Sequence, residues 1–189
     1  MKKLFFLFIF LSSYSFSKEG DLVPDYFFAG FGDSGEIGTK PNASYVSYDS
    51  SSSFLGMGFD VNETSSIQLS YNDFGGRSDQ THSKVEISAI QLGFVKIFPS
   101  EFVSFYFRGG FSRDDKDFIL SSLVNTSQTD ASGIKGYFGT GFLFPISEQA
   151  NLFFDYTETG VSRAYNSTSG VLLNGDISNA SIGFTYRLN

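Results

Sequence analysis

The fold is decided by the stretch A-S-I-G-F-T-Y-R-L-N, residues 180–189. Side chains of a β-strand alternate between two faces, so this stretch separates into two sets. The apolar and aromatic face carries Ala180, Ile182, Phe184, Tyr186 and Leu188. The small and polar face carries Ser181, Gly183, Thr185 and Arg187. A strand of this kind is typical of a barrel wall that has lipid on one side and water on the other.

The same alternation recurs in seven earlier runs, so the chain predicts eight strands. The runs cover residues 26–32, 54–61, 66–73, 85–98, 102–113, 134–144 and 151–159. Long polar segments and tight turns alternate between them, the turns being 62–65, 99–101 and 145–150. This alternation brings all long loops to one end. It predicts an all-β, eight-stranded antiparallel up-and-down transmembrane β-barrel with short periplasmic turns and long extracellular loops.

The limited volume of the barrel interior indicates which face of the predicted strands points outward. Many of the 24 Phe and 10 Tyr residues fall on the apolar face of the runs. An eight-stranded barrel is only wide enough inside for its own side chains, and that many rings would overfill it. The apolar face is therefore expected to meet lipid, with Tyr71, Tyr156 and Tyr186 as candidates for the interfacial aromatic girdles. The alternative is a soluble, exported, lipocalin-like barrel that encloses a small apolar ligand.

Composition excludes several other classes of protein. A mean hydropathy of -0.05, without about 20 consecutive apolar residues after the N-terminal run, argues against a helical membrane protein. The formal net charge of -7 argues against nucleic acid as a partner. Because the chain contains no cysteine, neither disulfides nor a thiolate metal site can form.

The N-terminus has the layout of a cleaved secretory signal. Lys2 and Lys3 precede an apolar run over 4–11 and a serine-rich segment over 12–17. We expect residues 1–17 to be a signal peptide and residues 18–189 to be the outer membrane barrel domain. A buried first strand or helix is the alternative reading of the apolar run.

Four charged residues fall on the predicted lumen face: Asp60, Arg108, Asp155 and Arg187. Isolated charges in a narrow lumen are costly, so we expect Arg187 to pair with Asp60 near the turns and Arg108 with Asp155 nearer the middle, or each pair to share water. The functional alternative is that they line an ion path. The favoured interpretation is a structural one, in which a polar core fills the lumen and holds the barrel shut.

The remaining candidate residues do not make a catalytic or metal site. His82 lies beside Asp79 and Ser83 in a loop, but adjacency in a loop does not create a nucleophile, a base and an orienting group. The acidic run around 114–117 lacks the spacing and turn glycine of a calcium loop. We therefore expect no catalytic residue, no metal and no cofactor.

Two segments carry a resemblance to a known family: G-Y-F-G-T-G-F-L-F-P-I-S-E-Q-A-N-L-F-F-D-Y-T, residues 136–157, and I-G-F-T-Y-R-L, residues 182–188. The chain resembles the small eight-stranded outer membrane barrels of the OmpA-like and OmpX/Ail-like kind over residues 26–189. The resemblance implies residence in the outer membrane of a Gram-negative bacterium and contact with lipopolysaccharide. It also implies insertion by the barrel assembly machinery, a monomeric state, and a role in adhesion, immune evasion or envelope integrity. Some eight-stranded barrels are lipid A-modifying enzymes, which is the less favoured alternative.

Overall fold

The computed structural model describes residues 23–37, 50–78, 83–120, 133–166 and 171–188. Every regular element in these ranges is a β-strand. The described residues include no helix long and apolar enough to cross a membrane. The predicted signal peptide, residues 1–17, lies outside the described ranges and remains a prediction.

Eight strands follow one another along the chain. They are β1 (Tyr26–Ile37), β2 (Ser50–Asn62), β3 (Ser65–Ser78), β4 (Ser83–Phe98), β5 (Ser104–Leu120), β6 (Gly133–Pro145), β7 (Ala150–Asn166) and β8 (Val171–Arg187). Each strand pairs antiparallel with the next, and β8 pairs with β1, which closes the barrel. The closing register sets Tyr26 opposite Arg187 and Gly30 opposite Gly183. The predicted all-β, eight-stranded antiparallel barrel is confirmed.

The predicted loops are wrong at their ends, because the strands continue into them. Segments assigned to loops but found in strands are 33–37, 50–53, 75–78, 83–84, 133, 160–166 and 171–175, and β5 also continues over 114–120. Strand pairing needs only backbone hydrogen bonds, so it continues where the alternation of apolar and polar side chains disappears. A bulge at Gly75, whose φ of 76° suits glycine, also shifts the β3–β4 register and breaks the period of two.

The outer wall carries a belt of exposed apolar side chains, which confirms the predicted direction of the aromatic face. Phe31, for example, is 68% exposed. On several strands a charged residue follows two positions beyond the last belt residue, as Asp73 follows Tyr71 and Glu158 follows Tyr156. Tyr71 and Tyr156 thus lie at the loop-side edge of the belt. Tyr186 lies at the turn-side edge, where its hydroxyl donates to Gln149 Oε1 at 3.1 Å. These are the positions of interfacial girdle residues.

The lumen is less polar than expected. Near the turns it is filled by a cluster of six buried side chains: Tyr26, Phe28, Phe54, Val95, Tyr106 and Phe153. The alternation puts Phe28, Phe54, Tyr106 and Phe153 on the lumen face, but the predicted lumen is a polar core. A few rings fit because glycines on neighbouring strands make room for them.

Lumen-facing glycines receive the aromatic rings of the strand beside them. Gly58 lies opposite Tyr26 and Gly56 lies opposite Phe28, and a Cβ added to either glycine would overlap the facing ring. The Tyr106 ring crosses Gly141 in the same way. Each ring therefore lies flat along the wall, which keeps the narrow interior close-packed.

This packing predicts that Gly56→Ala destabilises the barrel while the matched change Gly136→Ala does not. At Gly136 the nearest atom to an added Cβ is the Gly110 carbonyl oxygen at 3.9 Å, an ordinary contact. We expect Gly56→Ala to cost about 1–3 kcal/mol, the usual range for overpacking. Urea unfolding in lipid vesicles measures both variants. Equal stability of the two would contradict the packing role of Gly56.

Candidate functional site

The candidate site is the middle of the lumen, where Arg108 of β5 meets Asp155 of β7. An Nη atom of Arg108 forms an ion pair with Asp155 Oδ2 and donates a hydrogen bond to Thr157 Oγ1 at 2.5 Å. Tyr106 donates its hydroxyl to Asp155 Oδ1 at 2.7 Å, so both carboxylate oxygens are engaged. The side chains of Arg108 and Asp155 are 6% and 0% exposed. A pair this deeply buried is held by its hydrogen bonds as much as by charge.

Strand β6 lies between the two partners, and its glycines allow them to meet. Gly139 is paired with Arg108 on one side and with Thr157 on the other. A Cβ at Gly139 would lie 3.1 Å from Arg108 Nε and 2.9 Å from Thr157 Oγ1. Because Gly139 has no side chain, Arg108 crosses β6 at this position to reach β7.

The second ion pair joins Arg187 of β8 to Asp60 of β2 across β1. The distance from Nη1 to Oδ2 is 2.6 Å, and the side chains are 37% and 24% exposed. Tyr26 of β1 lies beneath the pair, with the guanidinium carbon 5.7 Å from its ring centroid. The Tyr26 hydroxyl shares a 2.6 Å hydrogen bond with Ser66 Oγ and accepts from Gln68 Nε2 at 2.9 Å. This contact spans the β1–β8 seam where the barrel closes.

Neutral polar side chains complete the middle of the lumen. Gln91 Nε2 donates to Thr159 Oγ1 at 2.9 Å, and Ser52 Oγ donates to Asn179 Oδ1 at 2.6 Å. Four buried polar atoms within the described residues lack a hydrogen-bond partner: Gln91 Oε1, Arg108 Nε, Ser112 Oγ and Ser181 Oγ. Buried groups of this kind are usually satisfied by internal water, so we expect a few ordered waters in this layer.

A small cavity lies on the turn side of Arg108, between the aromatic cluster and Arg187. Its volume is about 60 Å³, and Tyr26, Phe28, Phe153 and Arg187 are among the residues that line it. This space holds on the order of four or five water molecules. Around this cavity, the ring cluster and the Arg108–Asp155 pair occupy the lumen.

The structure brings together the residue pairs named from the sequence, Arg108 with Asp155 and Arg187 with Asp60. The sequence reasoning missed Tyr106 and Thr157, which complete the hydrogen bonding of Asp155. A signal for both was present, because each lies two positions from a lumen charge and so on the same strand face.

The residues weighed for catalysis and metal binding are only partly within the described ranges. Asp114 is buried and Asp115 is exposed, whereas His82 and the side chain of Asp117 lie outside the described residues. Among the described side chains, no group of three or more His, Asp or Glu could hold a metal ion.

Three solved structures resemble the chain in fold. Neisserial surface protein A is 15% identical, covers 86% of this chain and 96% of its own length, and superposes with a TM-score of 0.67. Ail of Yersinia pestis, in complex with the heparin analogue sucrose octasulfate, is 14% identical over 86% and 97%, with a TM-score of 0.56. The N-terminal β-barrel domain of Pseudomonas aeruginosa OprF is 12% identical over 85% and 96%, with a TM-score of 0.50.

No protein-family model matches the chain, and no curated protein matches its sequence. The fold is that of a small eight-stranded outer membrane β-barrel. Together with the exposed apolar belt, this fold places the chain in an outer membrane. The belt is then the surface that the bilayer covers, and the lumen pairs lie inside the spanning part of the barrel.

The two ion pairs predict different costs for the loss of one carboxylate. Asp155→Asn leaves the Arg108 charge buried without its partner, so we expect a loss of about 3–5 kcal/mol in the free energy of unfolding. Asp60→Asn leaves Arg187 partly hydrated, so its cost should be at most about 1 kcal/mol. Urea unfolding of both variants in lipid vesicles tests the difference. If Asp60→Asn lowers the free energy of unfolding as much as Asp155→Asn does, burial does not decide how much each ion pair contributes to stability.

Proposed function

We propose that this protein is a non-enzymatic, monomeric outer membrane barrel with an envelope-structural or surface-interaction role. The observation that carries the proposal is the combination of an apolar outer belt with a lumen filled by rings and ion pairs. A filled lumen leaves the outer wall and the loop-bearing end as the surfaces that can act. Outer membrane lipid, including lipopolysaccharide, covers the first of these surfaces, and the barrel assembly machinery would insert the chain.

The loop-side rim is the part of the strands that lies beyond the apolar belt, towards the long loops. Its charges indicate which kind of partner a surface role would involve. Beyond the belt the described side chains include the acidic Asp33, Asp73, Asp115 and Glu158 and the basic Arg113 and Lys135, and the whole chain has a formal net charge of -7. A sulfated polyanion such as the heparin analogue bound by Ail would be repelled by such a rim. A neutral or cationic partner fits this charge better.

The ion pairs act as structural filling in this proposal, rather than as an ion path. Arg108 and Asp155 neutralise each other within the lumen; Thr157 bridges them, and Tyr106 donates to the other oxygen of Asp155. Buried mutual neutralisation suits a packed core, since a conducting path needs charges that face water.

The first test is electrophoresis of the outer membrane and soluble envelope fractions with and without boiling. We expect the protein in the outer membrane fraction, migrating as a compact form in unboiled detergent and as a slower form after heating. The reason is that every strand of a closed barrel is paired on both edges. Recovery of a detergent-free soluble monomer without a heat shift would contradict the proposal and favour the lipocalin-like alternative.

Conductance separates a filled lumen from an ion path. In planar bilayers we expect the unmodified chain to show no sustained open level. The double variant Arg108→Ala with Asp155→Ala removes both charges but leaves the ring cluster near the turns in place, so it should stay closed as well. Steady conductance of the unmodified chain that the double variant loses would support the ion path instead.

A further inference from the structure

The cavity on the turn side of Arg108 is a part of the lumen that side chains leave open. Its volume is about 60 Å³. Rings and aliphatic side chains form much of its wall: Phe28, Val95, Ile97, Tyr106, Leu143 and Phe153. An alkyl group in this space would bury its own apolar surface and that of the wall, which is favourable.

The cavity opens towards the turns. Its lining at that end comprises Gln68, Asn151, Thr185 and Arg187, all of which are half-buried. At the opposite end Arg108 is buried. Because the short turns of an outer membrane barrel face the periplasm, a ligand reaches this cavity from the periplasm.

The charges that face the cavity are positive. Arg108 and Arg187 belong to its lining, and no acidic side chain is among the described residues that line it. Asp155 has both carboxylate oxygens occupied by hydrogen bonds, and Asp60 meets Arg187 from β2, across β1. The cavity therefore presents the guanidinium groups to an occupant without the carboxylates that neutralise them.

Arg187 has donor capacity left at the mouth of the cavity. A guanidinium group carries five N–H donors. Within the described residues, the hydrogen bond that the Arg187 side chain makes is the one from Nη1 to Asp60 Oδ2. The Arg187 side chain is 37% exposed. Its remaining N–H groups are available to a second carboxylate, which a guanidinium binds through paired hydrogen bonds.

We propose that the cavity binds a short aliphatic carboxylate from the periplasm. The carboxylate accepts hydrogen bonds from Arg187 at the mouth, where it stays partly hydrated, and the alkyl chain lies among the rings. An apolar cavity of about 150 Å³ accommodates benzene, so by proportion this cavity suits an alkyl group of about two or three carbons. The inference goes beyond the proposed function, because it gives the periplasmic end of the lumen a ligand of its own.

The lining disfavours two other kinds of occupant. A metal cation would meet two guanidinium groups and no carboxylate from the described lining residues. An inorganic anion would pair with Arg187 but would leave the apolar wall in contact with water. A carboxylate with an alkyl chain matches both the charge and the wall.

The test is saturation-transfer NMR of butyrate with the folded full chain in deuterated detergent micelles at neutral pH, with protein-free micelles as the blank. We expect butyrate to bind with a Kd on the order of millimolar, since so small a ligand buries little surface. Butyramide has the same shape without the charge and should bind about tenfold more weakly. Inorganic phosphate at the same concentration should not displace butyrate.

Two variants test the head and the chain of the ligand separately. Arg187→Gln removes the guanidinium and should weaken butyrate binding about tenfold. Its matched control is Lys96→Gln, which removes a positive charge from the same end of the barrel. Lys96 donates to Thr64 and Ser65 and is outside the cavity lining, so this control should bind butyrate like the unmodified protein. Ile97→Phe fills the cavity without changing its charge and should also weaken butyrate binding.

Five results would overturn the cavity site. They are no butyrate binding to the unmodified chain, equal binding of butyramide, displacement by phosphate, equal loss in Lys96→Gln, and unchanged binding in Ile97→Phe. Unboiled electrophoresis shows whether each variant is folded, and Ile97→Phe carries the test if Arg187→Gln does not fold. A heat-modifiable barrel that binds no butyrate refutes the cavity site alone, whereas loss of the compact form in the unmodified chain refutes the proposed function.

Discussion

The structure depends on one constraint: inside a bilayer every backbone N–H and C=O must find a partner within the protein. A sheet meets this demand only if it has no free edge, so the first strand must pair with the last. Here Tyr26–Ser34 of β1 lies against residues 179–187 of β8. The barrel, its narrow interior and its lipid-facing wall all follow from this closure.

Because only eight strands close the barrel, the interior is narrow and its side chains must fit closely together. Rings such as Tyr26 and Tyr106 need glycines opposite them, and Arg108 reaches Asp155 because β6 presents Gly139 between them. Glycine thus has two functions in the lumen, to seat a ring and to let a long side chain cross a strand. At the seam a ring takes the place of the glycine, since Arg187 crosses β1 over Tyr26 to reach Asp60.

Because the interior is filled around the turn-side cavity, only that cavity and the outer surfaces of the barrel remain available for interaction. The wall below the belt edge is covered by lipid, and the strands above it carry acidic side chains such as Asp73 and Glu158. The fold and the lumen packing are linked, because each is set by which residues of a strand are large and which are small.

The sequence by itself determined the strand number, the antiparallel order, the outward direction of the aromatic face and the four lumen charges. Period-two alternation and loop lengths are local properties, so they can be read along the chain. The strand ends, the ring cluster around Phe28 and the hydrogen-bond partners of Asp155 were decided only by tertiary structure. Each depends on the register between strands, which brings together residues far apart in sequence, and on the backbone pairing that continues where the alternation stops.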